Sequence, residues 1–404
     1  MQMNKVRIGI IGFGKHGSHY VRRYLETDIC KDVELTAIAD NNAARLGWAK
    51  EHLENVAFFD DALKMLDSGL IDACQIAVPH PDHYRYIREC FKRGIHVLCE
   101  KPLCVYADDI KAVIKEHQEH YPELVFGVML NQRQNPLYQK LKELLDNKTY
   151  GKVRRVDWTI TNWYRNQVYF DESYWHATWV GEAGGLIMNQ ATHQLDLWQW
   201  LFGLPDRVYA KLGYGKGHDI EADDEATVFF EYDNGVCGIF NTSSNDIFGV
   251  NSLKIQTDQA LLLVENQKII VRMIDEEKTS NKEIYRLMYE KPAFRDLEIP
   301  IEGTDPKHEG VVNEFADAIL NNRPLKTKAE EGLNSIILCN AIYLSSFLNK
   351  EISIPGDEKL YRDELAKRMK NSHLRLDAMD SISGILSSYD DNIKTGYNNA
   401  IKNR

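Results

Sequence analysis

Short apolar runs alternate with longer amphipathic stretches over the first third of the chain. Residues 6–11, VRIGII, are apolar apart from Arg7 and Gly9 and rich in β-branched side chains, the composition of a strand buried on both faces. A helical pattern follows Gly17, and further helix-period stretches lie near 43–53, 61–68 and 83–93. Strand-like runs separate them at VELTAIAD, near 56–58, at DACQIAV, at IHVLCE and near 124–130. Repeated strand–helix units predict an α/β domain with a doubly wound parallel sheet, whose ligands bind at the carboxyl ends of its strands. Pro79 follows one strand end and Glu100 closes another, which puts both beside such a ligand.

From residue 151 the hydrophobic period changes to two, in KVRRVDWTITNW, DRVYAKLGYG, EATVFFEYDNG, VCGIFNTSS, SLKIQTD, ALLLVEN and KIIVRMI. This predicts an α+β domain with a large, open, mostly antiparallel sheet, covered on one face by the helical stretches HEGVVNEFADAILN and KAEEGLNSIILCNAIYLSSFL. The expected division is a doubly wound α/β domain over 1–130, an α+β domain over 131–370, and a polar tail over 371–404.

Composition narrows the function. A chain of 404 residues exceeds one ordinary core, and 44% hydrophobic with 27% charged residues is globular composition. A formal net charge of -11 without a basic tract argues against nucleic acid as a main partner. MQMNKVRIGI lacks the apolar core of a signal peptide and no long apolar run could span a bilayer, so the expectation is a cytoplasmic protein without a membrane partner. The seven cysteines, at 30, 74, 90, 99, 104, 237 and 339, form no CxxC pair, and no histidine cluster completes a zinc spacing; free thiols and no metal site are expected.

Candidate chemistry begins in the loop Gly12, Phe13, Gly14, Lys15, His16, Gly17, which reads GxGxxG between a strand and a helix, a Rossmann arrangement. Such glycines let the backbone approach a pyrophosphate at the helix N-terminus, where free N–H groups favour anions. Asp40 ends the next strand, where a carboxylate accepts hydrogen bonds from a ribose diol and repels a 2'-phosphate. Asn41 beside it supplies no cation, so NAD is expected rather than NADP, with Arg45 the nearby cation that weakens the preference.

Three stretches in order, GFGKHG, AVPHPDHY and GIHVLCEKPL, resemble the Gfo/Idh/MocA family of NAD(P)-dependent oxidoreductases. The resemblance continues through NQRQNP, GEAGGLIMNQATHQLDLWQWLFG, DDEATVFFEYDNG and HEGVVNEFADAI, and spans residues 5 to about 369. It implies that Lys101 of EKP lies at the nicotinamide edge and takes part in catalysis, that His193 shares proton transfer, and that Pro79, His83, Glu100 and Asn131 border the dinucleotide. The chemistry agrees, since oxidising a secondary alcohol needs a base for the hydroxyl proton and positive charge near the developing alkoxide. If 189–201 is helical, Asn189 and His193 share a face, with Asp196 one turn on in a supporting role. The family commonly has Asp where Asn189 stands; an amide cannot act as a base, which shifts proton transfer toward His193 and Lys101 and leaves Asn189 to bind the substrate by orienting a hydroxyl through a hydrogen bond.

Residues 161–179, TNWYRNQVYFDESYWHATW, mix aromatic and polar groups in a way that suits a carbohydrate cleft, although a core or subunit interface gathers the same residues. Trp163 and Arg165 match pocket positions of the sugar-acting branch; Trp175 lies nearby, and His176 replaces an arginine often seen there. The resemblance implies NAD-dependent oxidation of a ring secondary hydroxyl, C3 foremost, of a sugar or glycoside. Alternatives are a redox-neutral glycoside hydrolase that retains NAD, and a nonenzymatic dinucleotide-binding regulator, which Lys101 and His193 argue against. It further implies a homodimer or homotetramer formed through the open sheet.

Overall fold

Strand β1 (Val6–Ile11) lies inside a six-stranded sheet with β2 (Val33–Ala39), β3 (Ala57–Phe59), β4 (Ala73–Ile76), β5 (His96–Cys99) and β6 (Phe126–Val128). Every pairing is parallel and the order is β3-β2-β1-β4-β5-β6, so the order reverses between β1 and β4 and opens a crevice at their carboxyl ends. The computed structural model describes residues 5–25, 29–275, 288–289 and 291–376; the expected tail beyond Leu376 lies outside the described residues.

A second, nine-stranded sheet contains β7 (Val153–Ile160), β8 (Arg207–Tyr214), β9 (Asp223–Glu231), β10 (Cys237–Ser243), β11 (Asn251–Thr257), β12 (Ala260–Glu265), β13 (Lys268–Ile274), β14 (Phe294–Ile299) and β15 (Ile352–Ser353). Its order is β14-β13-β12-β11-β7-β10-β9-β8-β15, antiparallel throughout except for β7 and β10. Alternation places Val156, Trp158, Val228, Phe230 and Phe240 on the buried face, under helices Thr192–Phe202 and Leu333–Leu348. Trp198 lies so close to the sheet that a Cβ at Gly238 would stand 2.5 Å from its ring, which explains the glycine in mid-strand. Tyr209, Phe229 and Ile239 stand in register on the opposite, open face.

The helix Lys307–Asn321 departs from the expectation that it closes the second domain. Its Val311, Val312 and Phe315 are buried in one cluster with Ile8, Ile10 and Phe13, so it packs on the parallel sheet. An apolar helical face specifies burial, not the sheet that provides it. Between the two sheets, Arg133 makes a bidentate pair with Asp196 at 2.8 and 2.7 Å, both side chains being buried. This pair ties the turn carrying Asn131 to the helix carrying His193. Among the described residues, no helix is long and apolar enough to cross a membrane.

Candidate active site

The glycine loop leaves β1 at the switch in strand order. Gly12 has φ +97, and a Cβ there would stand 2.4 Å from the Ala77 carbonyl oxygen, while one on Gly17 would stand 1.8 Å from the Gly12 oxygen. Both are glycine because backbone crosses backbone at contact distance. Gly14 differs, because a Cβ there would meet only the guanidinium of Arg45, at 3.5 Å, so the loop is open on that side. Lys15 and His16 are exposed beside that opening, whereas the Phe13 ring is buried. Asp40 accepts from Phe13 N at 2.6 Å and Asn42 N at 2.8 Å, and lies 3.6 Å from Arg45 Nη1; Asn41 beside it is exposed.

Glu100 and Lys101 follow β5. Glu100 is buried, accepts from the Tyr20 hydroxyl of the glycine-loop helix, and has its pKa raised by burial. His83 is buried, with ring nitrogens 2.8 and 2.9 Å from the Pro102 and Val78 carbonyl oxygens, so it braces the EKP turn against the turn at Pro79. Neither Glu100 nor His83 therefore presents a vacant side-chain group in the way that Asn131 does. Asn131 Oδ1, past the end of β6, is buried without a hydrogen-bond partner among the described residues. The open side of Gly14 and this unpaired oxygen, both at carboxyl ends of parallel strands, fit a bound dinucleotide.

Lys101 Nζ donates to the Asn189 backbone oxygen at 3.0 Å and to its Oδ1 at 3.1 Å. The Asn189 Nδ2 group donates to Glu182, whose other oxygen accepts from Ala177 N. With this orientation Asn189 accepts from Lys101 on one side and donates to Glu182 on the other. Burial lowers the Lys101 pKa, against the charges of Glu100 and Glu182. Burial likewise pushes Glu182 up to about 8, against its donors Ala177 and Asn189. His193 is pushed well below its usual range by burial and by Lys101, and its buried Nδ1 has no hydrogen-bond partner among the described residues.

Asn189 does not share a helical face with His193, as the sequence pattern suggested. The helix begins at Thr192, because the Asp223 carboxylate accepts from Gly185 N and Ile187 N and ties the preceding segment to β9. Asn189 still meets Lys101, which reaches it from the end of a strand of the other sheet.

The wall facing them comes from residues 161–180. The His176 ring stacks on Tyr169 with centroids 5.0 Å apart, and Trp175 lies 5.4 Å from His80. Arg165 lies over the Tyr169 ring at 5.0 Å, and Lys15 of the glycine loop lies over it at 5.4 Å. Tyr169 therefore joins the glycine loop to the wall. Trp163 packs on the main core and is joined to none of these side chains by a ring contact or hydrogen bond among the described residues. Sequence reasoning passed over Tyr169, His80 and Glu182. The available signal for Glu182 was a carboxylate beside small and apolar residues in EAGGLIM.

Residues 6–127 match the family model described as "Oxidoreductase family, NAD-binding Rossmann fold", and residues 138–262 match "GFO/IDH/MocA C-terminal domain". A myo-inositol 2-dehydrogenase of Thermotoga maritima is 25% identical over 251 residues, 60% of this chain and 70% of that protein. The rhizopine catabolism protein MocA of Rhizobium meliloti is 28% identical over 203 residues, 50% of this chain and 58% of that protein. Among solved structures, the WlbA dehydrogenase of Bordetella pertussis, in complex with NADH and UDP-GlcNAcA, aligns with TM-score 0.72 at 24% identity over 87% of this chain and 100% of that one. A levoglucosan dehydrogenase in complex with NADH aligns with TM-score 0.72 at 18% identity over the same shares.

Proposed function

Starting from a chain that belongs to the GFO/IDH/MocA oxidoreductase family and carries its NAD-binding Rossmann domain, we propose that it oxidises a ring secondary hydroxyl of a sugar, glycoside or inositol. Bound NAD supplies the hydride acceptor. The observation that carries this reading is the double hold of Asn189 on Lys101. A neutral amine has two N–H groups and one lone pair; with both N–H groups on Asn189, the third tetrahedral direction carries the lone pair. That lone pair takes the hydroxyl proton, and the resulting third N–H donates to the oxygen as negative charge leaves it. His193, neutral at physiological pH, offers a second hydrogen bond to the same hydroxyl.

Trp175, His176 and Arg165 are the side chains we assign to the ring's apolar face and its other hydroxyls, with oxidation at C3 as the favoured regiochemistry. The names of the myo-inositol and levoglucosan dehydrogenase relatives support the substrate class. In-register Tyr209, Phe229 and Ile239 on the open sheet support pairing of two copies through that face. All seven cysteines are free and six are buried, which suits a reducing cytoplasm.

The test is incubation with NAD and a panel of free sugars, inositols, levoglucosan and aryl glycosides, following absorbance at 340 nm and products by mass spectrometry. NADH formed in step with a ketone two mass units lighter supports the proposal. Aglycone released without net NADH would replace it with redox-neutral glycoside cleavage.

A further inference from the structure

The chain returns to the candidate substrate wall after its last described helix, Glu358–Met369. Arg375 donates from its guanidinium to the carbonyl oxygens of Phe170 at 2.6 Å and Asp219 at 3.0 Å, and lies 3.7 Å from the Asp171 carboxylate. Its backbone N–H donates to the Tyr174 carbonyl at 2.9 Å. Ser372, immediately before His373, is engaged as well: its Oγ accepts from Val180 N at 3.0 Å and its hydroxyl donates to Glu221. The Glu221 carboxylate also accepts from Trp179 N at 3.2 Å and His373 N at 3.0 Å.

Both ends of the stretch 170–180 are thus tied to residues 372–375, and Trp175 and His176 lie between the two ties. The stretch has little order of its own. Its regular pieces are the single turns Gln167–Asp171 and Trp179–Glu182, too short to persist without tertiary contacts. Losing the strap would leave the Tyr174 carbonyl and the Val180 N–H group seeking other partners, and would strip the Phe170 carbonyl of the guanidinium. Residues 372–375 lie outside both ranges matched by the family models.

We propose that this C-terminal strap is a positioning element of the substrate site, in which Arg375 and the Ser372–Glu221 pair hold the wall where Trp175 and His176 can meet the ring. The proposal rests on reading 161–180 as the substrate wall. Arg375 acts on main-chain carbonyls and touches no reacting atom, so its loss should weaken polyol binding and leave dinucleotide binding in place.

Hydrogen exchange of the full chain, NADH titration and steady-state kinetics on the panel compound with the highest turnover test it together, using Arg375→Ala, Arg375→Lys and a chain ended after Asn371. In Arg375→Ala, amides of residues 169–181 should exchange about tenfold faster and KM should rise about tenfold, the size of one lost charge-assisted hydrogen bond. The NADH Kd should stay within about twofold, and Arg375→Lys should recover part of the protection because it keeps the charge without the planar fork. Unchanged exchange in both Arg375→Ala and the shortened chain would overturn the strap, as would an NADH affinity that fell in parallel with protection. A wild-type protein inactive on every compound would count against the proposed function, while the exchange comparison would still decide whether the strap holds the wall.

Discussion

Lys101 Nζ is held by both oxygens of Asn189, the backbone one at 3.0 Å and the side-chain one at 3.1 Å. An amide orients the amine without adding a charge to it. Burial lowers the pKa of Lys101, and Asn189 leaves that shift in place where a carboxylate would oppose it.

Asn189→Asp should therefore move the acidic limb of kcat/KM for alcohol oxidation, along which the base loses its proton, to higher pH. The new carboxylate favours the ammonium, so the neutral base appears later in a titration, by on the order of one pH unit. A pH–rate profile of the two proteins checks this; an unmoved limb would mean that Lys101 is not the group titrating.

Glu182 gives a stability prediction with a defined window. Its folded pKa is raised to about 8 from 4.5, chiefly by burial. Between those values the unfolded chain has released this proton and the folded chain keeps it. The contribution of Glu182 to stability is thus fully present below 4.5 and is lost as pH rises through about 8. Relative to Glu182→Gln, the wild type should lose at most a few kcal/mol across that window, at about 1.4 kcal/mol per pKa unit. Urea unfolding near the two ends of the window measures the difference; a constant difference would show Glu182 already ionised throughout.

The glycine loop separates folding from fit. Gly17→Ala puts a Cβ 1.8 Å from the Gly12 oxygen, and should destabilise the fold by about 3 kcal/mol or more. Gly14→Ala finds only the Arg45 guanidinium, Nη1 at 3.5 Å, and should leave stability within about 0.5 kcal/mol while weakening the NADH binding proposed for that side of the loop. Thermal unfolding and NADH titration of the pair check it. Equal NADH affinity in wild type and Gly14→Ala would move the cofactor elsewhere.

Arg45 lies 3.6 Å from Asp40 Oδ2, which neutralises the cation nearest the expected ribose site. Asp40→Ser removes the repelling charge and releases that guanidinium, while the hydroxyl retains one acceptor for the loop. The ratio of NADP to NAD affinity should rise about tenfold or more, the size of a charge-assisted hydrogen bond. Titrations with both reduced cofactors give the ratio directly, and an unchanged ratio would place cofactor selection away from Asp40.

The parts that were legible in the sequence are those whose chemistry is local. Gly12, Gly14 and Gly17 sit at one strand–turn–helix junction, Asp40 follows the end of the next strand, and Lys101 lies two residues past the end of another. Their surroundings are set by neighbours along the chain. Asn189 was placed on the wrong element because the segment after Gly185 is compatible with a helix, and what prevents one is Asp223 on β9. Glu182 acts through Asn189, a through-space link that periodicity does not encode. Helix Lys307–Asn321 returns to the first sheet, and Arg375 binds carbonyl oxygens of Phe170 and Asp219, which every residue type possesses. A main-chain acceptor leaves no mark in a sequence.

Proton transfer by Lys101 is the step on which the proposed oxidation rests. The most direct test is Lys101→Ala, with NADH binding and steady-state oxidation of the best panel compound measured on the same preparation. The NADH Kd should stay within about threefold while kcat/KM falls by about 10²–10⁴, the range of a lost general base. Turnover close to that of the wild type would contradict the account.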